Sequence, residues 1–223
     1  MTDKILIHAC PKREQYVKKT LMPEITRQIR EANADIGLFL YIDKDGIGNQ
    51  KAFLDSVRIL DQRQESFYDN TWHLQDDVWP SANFIQTIIT YSLVTGIICG
   101  FGTRAACRGK SPGWTTACGM YTSFQCIRIP DMMIHGMRDY VFRRYTSEIN
   151  TNKWDDALFA EYLEKYAPYY PVLNLAPSIV EHVDYIIGGS VLNSWRKYRP
   201  TAIEFDQSAV EDLKKRLKEG NHG

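Results

Sequence analysis

Three short apolar runs punctuate the N-terminal part of the chain: KILIHA (Lys4–Ala9), IGLFLYI (Ile36–Ile42) and TWHL (Thr71–Leu74). Their Ile, Leu and aromatic content suits β-strands. Between the first two, Arg13–Ala32 carries Tyr16, Val17, Leu21, Ile25 and Ile29 near one helical face, with Pro23 expected to kink the helix or sit in its middle turn. The turn-rich DKDGIGN (Asp43–Asn49) leads to a second expected helix, Gln50–Leu60. Strand, helix, strand, helix, strand restricts the fold to a mostly parallel sheet flanked by helices. The unbroken IGLFLYI suits a strand covered on both faces. Ligands of such sheets bind beyond the carboxyl ends of the strands. Cys10–Arg13, Asp43–Gly48 and Gln75–Val78 therefore converge on one crevice.

The remainder changes character. FIQTIITYSLVTGIICGFG (Phe84–Gly102) is the most apolar stretch, but polar residues interrupt it and Gly96 breaks it. It falls short of a membrane span and reads as a buried helix running into a buried strand. FGTRAACRGKSPGWTTACG (Phe101–Gly119) reads as one long loop, and long loops in compact domains tend to be functional. Met120–Pro130 alternates as a strand does, Asp131–Arg144 reads as a helix, and Thr151–Ala167 opens with a capping residue and first-turn acids. The tail Ser208–Gly223 is expected to be a charged helix that frays. The division expected is one α/β domain over 1–207, in two halves (1–100 and 101–207), followed by the 208–223 helix.

Composition narrows the function classes. With 27 Lys plus Arg against 27 Asp plus Glu, the chain is no polycation, so any nucleic-acid contact must come from a local basic patch. The N-terminus has no signal-peptide pattern. The five cysteines lack a C-x-x-C pair and are expected to be reduced thiols of a cytoplasmic protein.

The chemistry concentrates in TWHLQDDVWPSANF (Thr71–Phe84), where Asp76 and Asp77 sit side by side at a strand end. Two bare carboxylates repel, and one would take up a proton. A hard divalent cation removes that cost, and magnesium sites often use one or two carboxylates and complete their shell with substrate phosphates. The plain alternative is a solvated turn with one acid capping the next helix.

WHLQDDV after a βαβαβ run resembles the acidic metal-binding motif of GT-A fold glycosyltransferases, the nucleotide-sugar enzymes. ILIHACPKR resembles their first strand and nucleotide-binding loop, and LYIDKDG their second strand. WDDALFAEYL resembles the acidic motif beside the acceptor. PSIVEHV, followed by GGSVLNSWRKYRPTAIEF, resembles a late segment that can supply a metal-binding histidine. The likeness spans most of Lys4–Phe205. Gln75 stands where the family has the first acid of D-x-D, and Asp184 where the late motif usually has glycine.

The resemblance implies a GT-A (Rossmann-like) fold and a hexosyl or pentosyl transfer from a nucleotide-diphosphate sugar to a hydroxyl acceptor. Asp77 and His182 are then ligands of Mn²⁺ or Mg²⁺, and Asp76 contacts the ribose or shares the metal. Cys10, Arg13 and Asp43 face the nucleotide, and Arg196, Lys197 and Arg199 close over the diphosphate. Asp156, with Asp155 as alternative, is the general base of an inverting transfer, a role typically worth about 10² to 10⁴ in rate. Trp114 and the basic Arg104, Arg108 and Lys110 meet the acceptor, which extends the candidates to a hydroxymethylated base in viral DNA. Each residue has a simpler reading: turn formers, helix N-terminal acids favoured by the macrodipole, or solvated charge. His8 and His73, at strand positions, read as core histidines.

Three other activities remain open. Gln75 motivates a GT-A-like protein that binds nucleotide sugars without turnover. A transferase acting on a glycan or cell-surface saccharide is a second. A nucleotidyltransferase ranks last, because HACPKREQ has no glycine.

Overall fold

The computed structural model describes residues 3–44, 69–102, 113–116, 124–144, 155–188, 202 and 204–220. The expected helix Gln50–Leu60 lies outside them. The chain begins with β1 (Asp3–Ala9), followed by a 3₁₀ turn Pro11–Arg13 and one helical turn, α1 (Glu14–Tyr16). A π-helical turn, Val17–Leu21, then runs into α2 (Met22–Glu31). Pro23 does not end this helix. The wider turn lets Met22 N–H bond Val17 O, and Pro23 falls in the first turn of α2, where its missing N–H matters least.

Next come β2 (Ile36–Ile42), β3 (Asn70–Gln75), β4 (Val78–Pro80), α3 (Phe84–Tyr91), β5 (Ile97–Cys99) and β6 (Gly113–Thr116). The chain continues through β7 (Cys126–Pro130), α4 (Asp131–Arg144), α5 (Asp155–Tyr166) and β8 (Pro171–Asn174). It closes with β9 (Val180–His182), α6 (Asp184–Ile187) and α7 (Gln207–Gly220).

Seven strands form one mixed sheet in the order β2-β1-β3-β7-β5-β8-β6. The pairings make β2, β1, β3, β5 and β8 run one way, while β7 and β6 oppose them. The mostly parallel α/β sheet expected from the alternation is therefore present. β4 and β9 make a separate antiparallel pair.

Side-chain alternation divides the interior into two cores. Ile5, Ile7, Ala9, Trp72, Leu74, Ile98 and Cys126 join Val17, Leu21, Ile25, Phe84 and Leu213 on one face. Ile97, Cys99, Ile127, Ile129 and Val172 join Met137, Phe159 and Leu163 on the other, under α4 and α5.

Three expectations change. β2 is an edge strand among those described, and every residue in it is only half-buried rather than covered on both faces. The stretch Phe101–Gly119 is not one loop, because Gly113–Thr116 pairs with β8 as β6. The last helix is docked along one side: Ala209, Val210 and Leu213 are buried, and Arg216 lies 3.0 Å from Glu24 and 5.7 Å from the Trp79 ring centre. No helix among the described residues is long and apolar enough to cross a membrane.

The two strand histidines lie in the interior, as expected. His73 Nδ1 is 3.2 Å from Phe124 O, and its ring packs edge-on to His8 and Phe124. Burial, with His8 adding to it, pushes His73 down to about 3. The unfolded ring titrates near its ordinary 6.5. Below that pH the unfolded chain takes up a proton that the folded chain refuses, so stability falls as pH drops from 6.5 toward 3, by up to about 1.4 kcal/mol per unit. His73→Gln should flatten the decline of urea-unfolding free energy between about pH 6.5 and 4. An unchanged slope would contradict this placement.

Candidate active site

The carboxyl ends of β1, β2 and β3 lie side by side because β1 pairs in parallel with both neighbours. Five sequence-predicted residues, Cys10, Arg13, Asp43, Asp76 and Asp77, lie in the loops that follow them. Pro11 starts the 3₁₀ turn after β1, and Arg13 N–H closes it on Cys10 O at 3.0 Å. That turn buries the Arg13 side chain and aims its guanidinium at the end of β3. Asp43 follows β2, buried, with its N–H on Ala9 O.

Asp76 and Asp77 form the turn between β3 and β4. Asp76 is held on both oxygens: Oδ2 accepts the Cys10 main-chain N–H at 2.7 Å, and Oδ1 accepts Arg13 Nη1 at 2.7 Å. The same Nη1 lies 2.8 Å from Asp77 Oδ2. One buried guanidinium nitrogen thus bridges two adjacent carboxylates.

His182 arrives from far along the chain by strand pairing. In the β4–β9 ladder, Val78 stands opposite His182, and Val183 N–H bonds Asp77 O at 2.7 Å. The His182 Nε2 consequently lies 3.0 Å from Asp77 Oδ2. Glu181 fixes this strand end, accepting the His182 and Ala202 main-chain N–H groups. Asp184, which opens α6, is buried with Oδ1 3.9 Å from His182 Nδ1.

The electrostatics follow from burial and charge together. For Asp77, burial favours the neutral acid, but the His182 hydrogen bond and the His182 and Arg13 charges outweigh it, and the carboxyl ends below its usual range. For His182, burial disfavours the cation, yet Asp77 and then Asp184 raise it above an ordinary histidine. Arg13 is likewise raised by Asp77 and Asp76 against the cost of burial. Burial raises the Cys10 thiol, and Asp76 adds to that.

Open valences decide what a divalent ion could find here. Among the described residues, Asp77 Oδ1 and His182 Nδ1 are buried with no hydrogen-bond partner. A carboxylate oxygen and an imidazole nitrogen suit Mn²⁺. No group of three His, Cys, Asp or Glu placed to hold a metal occurs among the described residues. Asp77 and His182 would supply two ligands to an ion whose shell phosphate and water complete, with Nε2, not Nδ1, the His182 nitrogen that faces Asp77.

The other predicted residues divide by location. Asp155 and Asp156 open α5, and their side chains lie outside the described residues. Trp114 lies on β6, its backbone opposite Leu173, and its side chain is also outside them. Arg104, Arg108, Lys110, Arg196, Lys197 and Arg199 fall outside as well. Sequence reasoning treated Tyr16 only as core. Its hydroxyl donates to Val78 O at 2.8 Å, bracing the strand that follows the acid-bearing turn. Burial, then Asp77 and Asp76, holds that phenol well above its ordinary value. Its place on the apolar helical face hid this role.

No family model and no curated protein matches the chain. Several solved structures do. The catalytic domain of Drosophila beta1,4galactosyltransferase 7 in complex with xylobiose is similar at 12% identity with a TM-score of 0.52, over 93% of this chain and 78% of that one. A mutant of that Drosophila enzyme in complex with manganese, UDP-Gal and xylobiose gives 10% identity and 0.53, over 88% and 78%. A glycosyltransferase involved in glycosylation of the major capsid of PBCV-1 gives 14% and 0.47, over 74% and 75%. The chain has the GT-A-like glycosyltransferase fold, a mixed sheet with flanking helices in a single domain.

Asp76 joins two loops through two buried donors. Asp76→Ala leaves the Cys10 N–H unsatisfied and removes one of the acids that hold Arg13, so unfolding free energy should drop by about 1–3 kcal/mol. Chemical denaturation measures this, and an unaltered midpoint would refute the bracing role.

Proposed function

We propose that the protein transfers a glycosyl group from a nucleotide-diphosphate sugar to a hydroxyl acceptor, with Mn²⁺ or Mg²⁺ held by Asp77 and His182. The observation that carries this reading is the Arg13–Asp76/Asp77–His182 constellation at the carboxyl ends of the central strands. That is where open α/β sheets bind ligands. The fold shared with a manganese and UDP-Gal complex supports it.

In the reaction, the bond between the anomeric carbon and the phosphate oxygen breaks, and its electron pair leaves with the diphosphate. The acceptor oxygen forms the new bond to that carbon and gives up its proton. Bound at Asp77 and His182, the ion supplies charge stabilisation for the departing diphosphate. Arg13 lends a fixed positive charge beside the same place, while Asp43 contacts the nucleoside. Asp76 holds Arg13 and the Cys10 loop in position. Arg196, Lys197 and Arg199 supply further cations over the diphosphate. In an inverting transfer Asp156, or else Asp155, takes the acceptor proton.

A saccharide acceptor is favoured by the xylobiose complexes of structures that share the fold. Arg104, Arg108, Lys110 and Trp114 would meet it. The same basic loop keeps a hydroxymethylated DNA base as the second acceptor to assay.

A second reading is a nucleotide-sugar-binding protein without turnover. Gln75 in the acidic motif, and the contact of Arg13 with both acids, favour it.

Incubation of the purified protein with a panel of nucleotide sugars, Mn²⁺, xylobiose and hydroxymethyl-base DNA separates the readings. Transfer or slow donor hydrolysis is the expected result, falling by about 10² to 10³ in Asp77→Ala. Binding without turnover, unchanged by Asp77→Ala, would favour the second reading. No binding of any nucleotide sugar would end both.

A further inference from the structure

Asp77 carries an unequal load on its two oxygens. Oδ2 accepts from Arg13 Nη1 at 2.8 Å and from His182 Nε2 at 3.0 Å, which engages both of its lone pairs. Oδ1, buried a bond angle away, has no hydrogen-bond partner among the described residues. Asp76 is loaded evenly, with one donor on each oxygen.

The consequences for a cation arriving at Asp77 differ between the two acids. Asp76 has no idle oxygen, and its partners anchor it to the first loop. Asp77 has an idle oxygen, but an arginine charge already sits beside it. Guanidinium and a divalent ion compete for one carboxylate, because each is stabilised by the same negative charge and they repel each other. Arg13 does not need Asp77 to stay in place: the nitrogen that touches Asp77 also touches Asp76 at 2.7 Å, and its side chain is buried.

We propose that Arg13 is a built-in, displaceable counter-ion of the metal position. It neutralises Asp77 in the metal-free protein, and yields Asp77 to the ion while remaining tethered to Asp76, where its freed donors face the donor diphosphate. Arg13 is thus a positioning residue that lowers the affinity for metal alone and raises it for metal together with diphosphate. This rests on the reading of Asp77 and His182 as ligands. It makes loading ordered: ion and diphosphate arrive as a pair, because the diphosphate gives the displaced guanidinium a new anion.

The test measures Mn²⁺ binding to the full chain by loss of the free-ion EPR signal, without any donor sugar. Arg13→Met should bind Mn²⁺ alone at least about tenfold more tightly than the wild type, the size expected when one neighbouring charge is removed. The same variant should bind a nucleoside diphosphate more weakly by calorimetry. Arg13→Lys, which keeps the charge, should stay close to the wild type in Mn²⁺ affinity. A purely structural Arg13 would give the opposite sign, with Mn²⁺ binding weakened as the acid pair loses its brace. Equal or weaker Mn²⁺ binding by Arg13→Met, with wild-type binding still abolished by Asp77→Ala, overturns the displacement and leaves the metal reading standing. Absence of any Asp77-dependent Mn²⁺ binding, with or without nucleoside diphosphate, overturns both. If Arg13→Met does not fold, ¹⁵N NMR of the arginine side chains in the native protein decides. Saturating Mg²⁺ should shift the Arg13 guanidinium signal, and an unmoved signal contradicts the proposal.

Discussion

Two neighbouring carboxylates buried at a strand end are tolerable only if positive charge reaches both of them. In this fold the charge comes from one guanidinium nitrogen of Arg13, at 2.7 Å from Asp76 and 2.8 Å from Asp77. Much of the surrounding architecture serves that contact. The parallel pairing of β1 with β3 sets the two loops side by side, the Pro11 turn directs Arg13 inward, and the Cys10 N–H fixes Asp76. The small β4–β9 ladder then brings the His182 imidazole to Asp77.

The corner is also where the two kinds of cost in folding meet. Burying Asp77 disfavours its charge, and burying His182 disfavours its cation, yet each offsets the penalty of the other. Removing either partner leaves a buried charge short of its counter-charge. The hydrocarbon packing around it makes that geometry stiff. Trp79, on the strand between the acids and α3, is fully buried, and Arg216 of α7 lies over its ring while reaching Glu24 of α2. The C-terminal helix is thereby fastened to the same layer that carries the acid turn.

The fold was legible where periodicity is strong. The Ile-, Leu- and aromatic-rich runs of β1 and β3 and the long helices Asp131–Arg144 and Asp155–Tyr166 emerge from the letters alone, because buried strands concentrate apolar residues and helices space them along one face. β6 escaped because four residues, GWTT, in a Gly- and Ser-rich stretch carry too little apolar alternation to be told from a turn. The edge position of β2 escaped for a different reason: IGLFLYI reads as doubly covered, and strand order is a property of pairing that no local run encodes. At the site, Asp76 and Asp77 were legible as adjacent like charges. The Arg13 bridge was not, since it joins residues 63 positions apart through a turn whose direction the letters do not specify. His182 was reached through its flanking motif, whereas the register that sets it against Asp77 depends on a three-residue ladder. Tyr16 was hidden because a tyrosine on an apolar helical face looks like filling until its hydroxyl partner is known.

Crystals grown with a nucleoside diphosphate and Mn²⁺, with data collected at the manganese absorption edge, test the central claim most directly. An anomalous peak ligated by Asp77 and His182 is expected, with the diphosphate beside it and Arg13 still bound to Asp76. A bound nucleotide with no anomalous peak, and Arg13 and His182 still closed on Asp77, would contradict it.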